Sequence, residues 1–172
     1  MIKIHFLNVG HGDCIVIEFK DTKRMAVIDI NMTDSMEQNS FSELIADALS
    51  SLSAEDQIYN AIKGYTNKEI LEKANYNIKL TNPIDYIRNL NNGSVFRFVS
   101  THPHMDHLTG IKSLNDEIGI GTLWISKNSH TPDLGQLSDS QKEDWSFYKK
   151  YRDTNEYFLD GLYTIRPKDG DS

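Results

Sequence analysis

The stretch Val99–Ile111, VSTHPHMDHLTGI, constrains this chain more than any other. It places His102, His104, Asp106 and His107 within six residues, in a chain of 172 residues with only six histidines. Imidazole nitrogens and carboxylate oxygens grouped this closely are the donors that zinc, manganese and iron prefer. The preceding run Val95–Thr101, VFRFVST, is β-branched and aromatic, lies between Asn92-Gly93 and Pro103, and predicts a buried strand. Pro103 lacks an amide hydrogen and has a fixed φ, so it ends the strand and stiffens the turn. The donors therefore occupy a loop leaving the carboxyl end of a strand, where α/β proteins build sites. On such a loop His102 and His104 can approach one ion, while Asp106 and His107 turn toward a second ion beside it. One isolated histidine is ordinarily a surface residue or part of a polar network; this cluster behind a strand favours metal binding.

Composition sets the surroundings. Hydrophobic residues make up 38% and charged residues 25%, as in an ordinary globular protein. The length suits one domain with a real core, or part of a larger one. A net charge of −7 argues against a broad electrostatic grip on nucleic acid. A local basic cleft stays open, because bound metal adds charge that the formal count omits. The single cysteine, Cys14, excludes an internal disulfide and reads as a small buried hydrophobe rather than a nucleophile. The chain opens directly as a strand with no charged-then-apolar leader, and no apolar run approaches the roughly 18 residues of a membrane span. These features predict a soluble, cytoplasmic protein that does not engage a membrane.

In chain order, Ile2–Val9, Cys14–Phe19 and Met25–Ile30 predict an antiparallel meander, with Gly10-His11-Gly12-Asp13 as a tight turn in which Asp13 caps. His5 and His11 read as structural; His11, in a glycine turn near the strand ends, is a further candidate for lining the cleft. Residues 32–81 read as a helical insertion. Phe41, Leu44, Ile45, Ala48, Leu49 and Leu52 recur at helical spacing, Ser53 caps the next turn, and Thr66–Glu69 is a capping box. Such an insertion either covers a cleft or decorates the surface. Asn82-Pro83 opens a helix striped by Ile84, Ile87 and Leu90 and closed by Asn92-Gly93. Leu108–Asn115 predicts a helix and Gly121–Ser126 a strand. Ser138–Gln141 is a capping box before a helix whose Trp145, Tyr148 and Tyr151 face the core. Tyr157–Ile165 predicts a last strand pair, and 168–172 a frayed end.

With these residues in view, the chain resembles the metallo-β-lactamase-fold hydrolases. LNVGHGDCIVIEF (Leu7–Phe19), MAVIDIN (Met25–Asn31) and THPHMDHLTG resemble the competence-protein (ComEC-type) branch, which opens with a V-G-Q-G-D turn between two strands. His11 stands where that branch has glutamine. The resemblance covers residues 1–31 and 82–126. It implies an α/β (α+β) class, an αββα sandwich of which this chain carries mostly the first half. It implies that His102, His104, Asp106 and His107 ligate one or two Zn²⁺ ions, with Mn²⁺ or Fe as alternatives, and that Asp106 also acts in catalysis by orienting water. It makes Asp29 the buried aspartate that supports the metal loop from beneath; a solvated strand-end carboxylate is the other reading. His130 follows the motif far sooner than the family's third histidine, so it reads as a surface-loop residue, with ligation as the lesser alternative. No later strand ending in a bridging aspartate, and no final histidine for a second ion, is evident. The chain therefore reads as a single, incomplete domain over 1–172 whose open edge and apolar face call for an oligomer or a completing partner. The implied activity is metal-dependent hydrolysis, water attacking a nucleic-acid phosphodiester or an ester-type bond. The alternative is a truncated or degenerate domain serving as a non-catalytic binding module.

Overall fold

Apolar, largely β-branched segments build three short strands at the start of the chain: β1 (Ile2–Phe6), β2 (Ile15–Phe19) and β3 (Arg24–Ile28). The computed structural model describes residues 1–33, 38–76, 79–90, 93–154, 158–159 and 162–165. The three strands form an antiparallel meander in which Ile4 lies opposite Ile17 and Ile17 opposite Ala26. β4 (Arg97–Ser100) runs parallel to β3, and β5 (Leu123–Ser126) runs parallel to β4. β6 (Phe158–Leu159) and β7 (Leu162–Ile165) close the sheet, β7 lying antiparallel to β5. The described residues thus form one mixed sheet in the order β1-β2-β3-β4-β5-β7-β6.

The pleat sorts the side chains of this sheet onto two faces. Val16, Val27, Phe98 and Leu123 lie side by side in register and are fully buried. They join one core with Ile84 and Ile87 of α4 (Pro83–Leu90), Ile111 and Leu114 of α5 (Ile111–Glu117), and Trp145 and Tyr148 of α6 (Asp139–Arg152). Asn82 starts α4 by accepting the Ile84 and Asp85 amides, and Ser138 and Gln141 form the capping box that starts α6. The other face carries Ile2, Ile4 and Phe6, exposed at 62%, 53% and 77%, beside half-buried Ile15, Ile17 and Phe19.

Two elements differ from the sequence expectation for local reasons. The ladder of β4 covers only Arg97–Ser100, because the Thr101 amide is bound by the Asp29 side chain instead of a neighbouring strand. The helix expected at Leu108 begins at Ile111, after a single 3-10 turn at Met105–His107. Gly110, at φ 99°, separates the two, and a Cβ there would stand 2.9 Å from Met32 Cβ. Asn92, Tyr157 and the end 168–172 lie outside the described residues.

Residues 34–80 form a separate compact unit. Its helices are α1 (Gln38–Ser51), α2 (Ala54–Lys63) and α3 (Asn67–Lys73), and its core centres on Ala48, Ile70 and Leu71. Ser53 caps α2, and the Thr66–Glu69 capping box starts α3. Among the described residues, no helix is long and apolar enough to cross a membrane.

Cys14 is 2% exposed, and burial, with the nearby charges of Asp29 and Asp13, pushes its thiol up to about 12. The native protein should therefore resist alkylation at mildly alkaline pH and react fully once unfolded in denaturant, as mass spectrometry would record. Rapid native labelling would mean that the first hairpin is not packed as described.

Candidate metal centre

The site is assembled where β3, β4 and β5 release their loops at one edge of the sheet. Asp29 follows β3 in the left-handed conformation, φ 53°, and its amide donates to Val99 O at 2.9 Å. This turn sends its carboxylate, on a residue 1% exposed, beneath the histidine loop. There Oδ1 accepts the Thr101 amide at 2.8 Å, while Oδ2 accepts the Thr101 hydroxyl at 2.5 Å and His107 Nδ1 at 3.0 Å. Removing a partner from a buried charge costs about 3–5 kcal/mol. The carboxylate therefore ties Thr101, where the loop begins, to His107 within it.

These contacts also decide which imidazole nitrogens face outward. A carboxylate only accepts, so the hydrogen between Asp29 and His107 sits on Nδ1, leaving the His107 Nε2 lone pair for another partner. The Thr101 hydroxyl has a single hydrogen, and it is donated to Asp29. Toward His102 Nδ1, 3.0 Å away, that hydroxyl can then only accept, so His102 also carries its hydrogen on Nδ1 and offers Nε2. One carboxylate thus sets the tautomer of two histidines, directly and through Thr101.

Metal-binding atom types gather around this network. One donor atom each from His102, His104 and Asp106 lies within 4.8 Å of the others, and the same holds for Asp29, His102 and His107. His107 Nε2 is 3.2 Å from Asp106 Oδ2. That separation is close to the spacing of two donors on one tetrahedral ion, about 3.3–3.4 Å. The donors do not divide strictly into His102 with His104 and Asp106 with His107. Asp106 reaches both sets.

Two histidines from distant loops complete the cluster. His130, after β5, has its ring centroid 4.9 Å from that of His104 and 5.9 Å from Trp145 of α6. Arg152 donates to its carbonyl oxygen at 2.5 Å, and Asn128 accepts its amide. Burial, reinforced by His104 and Arg152, holds the His130 imidazole below its ordinary pKa. His11 Nε2 lies 3.4 Å from Asp106 Oδ2. Both residues therefore stand beside the motif. The signal for His130 was the strand before it: β5 lies parallel to β4, so its loop leaves the sheet at the same edge. His5 is elsewhere, buried with Nδ1 2.7 Å from the Tyr86 hydroxyl and Nε2 3.3 Å from Glu18.

A second buried acid braces the far side of the loop. Asp144 of α6 accepts the amides of Gly110 at 2.8 Å and Lys112 at 2.9 Å, anchoring the start of α5. Burial raises its pKa, and those two amides oppose the rise. Thr101 and Asp144 carry no sequence signature of these roles, since each depends on a partner far along the chain.

No protein-family model matches this chain, and no curated protein matches it in sequence.

Asp29→Asn keeps a residue that tolerates φ 53° while removing the charge beneath His107. Metal affinity, measured by competition with a chromophoric chelator, should fall roughly 10–100-fold with folding preserved. Unchanged affinity would show that Asp29 does not orient the ligands.

Proposed function

We propose that this chain is a metal-dependent hydrolase of the metallo-β-lactamase-like kind, acting on a phosphodiester or ester-type bond. The observation that carries the reading is the gathering of His102, His104 and Asp106 donors within 4.8 Å beside His107, whose Nδ1 is tied to buried Asp29. A nitrogen-rich set with one carboxylate fits Zn²⁺ best, with Mn²⁺ or Fe as alternatives. His102, His104, Asp106 and His107 would hold the ion or ions, with His130 alongside His104. When bound, such an ion supplies Lewis acidity toward a scissile oxygen and toward water.

The chain's own residues prepare the rest. Asp29 and Thr101 keep the Nδ1 hydrogens of His107 and His102 engaged, which leaves their Nε2 lone pairs available to an ion. Asp106, half-buried, presents a carboxylate to accept a hydrogen bond from attacking water and so orient it. Among substrate classes, the sequence resemblance favours nucleic-acid phosphodiesters. The net charge of −7 limits that contact to the neighbourhood of the ion.

The exposed apolar face formed by Ile2, Ile4 and Phe6 supports the αββα reading, in which a second sheet covers it. The same face favours one other reading: a non-catalytic module that docks a partner there.

The purified chain, stripped with a chelator and reloaded, should retain zinc, manganese or iron by elemental analysis and hydrolyse an activated phosphodiester or ester. The double variant His102→Ala/His104→Ala should lose both properties while remaining folded by circular dichroism. A wild-type chain that retains no metal after loading sinks the metal reading. Retention without hydrolysis of any ester class favours the binding module.

A further inference from the structure

The helix α2 (Ala54–Lys63) has ten residues, none of them buried. A helix this short is marginal alone and ordinarily holds its shape by packing an apolar face. This one turns its apolar face outward. Ile58 and Ile62, one turn apart, are 63% and 72% exposed, and Tyr59 beside them is 50% exposed. The helical period places Glu55, Ile58, Tyr59 and Ile62 on one side of α2.

That side borders an open cleft of about 400 Å³ walled by Glu55, Asp56, Tyr59, Tyr65, Glu69 and Lys73. The volume falls in the range of ligand clefts, roughly 300–1,000 Å³. Its wall is held together internally. Asp56 accepts the Tyr65 hydroxyl at 2.9 Å and the Lys73 ammonium at 2.7 Å, and Tyr65 stacks on Tyr59 with ring centroids 5.0 Å apart. Lys73, with Ser53 and Tyr65, holds the Asp56 carboxyl at about 2, so this pair stays charged and mutually neutralised. Among the described residues, no ion pair involves Glu55 or Glu69. The wall thus carries three carboxylates against one ammonium. An excess of negative charge repels nucleic acid and anionic lipid and suits a cation. A guanidinium is the cation that also stacks flat on a tyrosine ring.

We propose that α2 and this cleft form a docking surface for an amphipathic, arginine-bearing segment of a partner protein. Apolar side chains of the segment cover Ile58 and Ile62, and its guanidinium lies against Tyr59 and Glu55. Charge selects this occupant. A free amine would fill the cleft and leave the isoleucines bare. A second copy of this chain would bring like charge, because residues 34–80 carry eight carboxylates against four lysines. The inference goes beyond the metal centre and does not rest on it.

The test uses the full chain and a panel of fluorescent helical peptides that share one leucine face and carry arginine, glutamine or glutamate beside it. By anisotropy the arginine peptide should bind about 10-fold or more tighter than the glutamine peptide, and the glutamate peptide should not bind. Added salt should shrink that preference. Ile58→Ser/Ile62→Ser should weaken binding by about 10-fold or more through lost apolar burial. Glu55→Lys should weaken the arginine peptide selectively. These residues are exposed, so thermal melting should stay as in wild type. His102→Ala/His104→Ala should bind the peptide as wild type does, which separates this surface from the metal centre. The proposal is overturned if no peptide binds, or if binding ignores peptide charge or the isoleucine substitutions. It is equally overturned if wild type forms a dimer that Ile58→Ser/Ile62→Ser dissolves, if phosphatidylserine vesicles bind better than the arginine peptide, or if arginine amide competes as well as the whole peptide.

Discussion

The Asp29 carboxylate is the interaction on which the rest of this structure depends. A charge buried at the end of a sheet is tolerated only when hydrogen bonds replace its lost water, and here the Thr101 amide, the Thr101 hydroxyl and His107 supply them. That requirement has three consequences at once. It ends β4 early, because the Thr101 amide is no longer available to a strand. It draws the histidine loop back over the sheet edge. It also fixes hydrogens on Nδ1 of His107 and His102, so that Nε2 of each ring is left as the acceptor nitrogen.

The loop is held at its other end by different chemistry. The Asp144 carboxylate takes the amides of Gly110 and Lys112, and close packing of Met32 beside Gly110 leaves no space for a side chain there. Between these braces, the 3-10 turn at Met105–His107 carries Asp106 outward and His107 inward. A centre built this way is held by sheet and helix packing rather than by its own loop. Buried anchors give that kind of preorganisation, and exposed ion pairs do not.

The helical face and the open face of the sheet show how far each pattern reached. The apolar runs of β2, β3 and β4 and the aromatic spacing of α6 made one apolar layer readable, because such patterns are local in sequence. Capping signals at Asn82, Thr66 and Ser138 were equally readable, since each cap reaches only two or three residues along the chain. The start of α5 was not, because it depends on Met32 and Asp144, which lie far away in sequence. His130 was readable only as a lesser alternative for the same reason: it joins His104 only when parallel pairing of β4 and β5 brings their loops to one edge.

The sequence by itself determined the donor types, the strand that leads into them and the helices that cap and pack nearby, since short-range sterics and hydrogen bonding govern all three. Only the tertiary structure decided which donors meet. Asp29 lies beneath His107, and His11 stands at Asp106, because β1–β2, β3 and β4 end along the same edge. The tautomers that make those nitrogens usable follow from a carboxylate 78 residues away from the ring it orients.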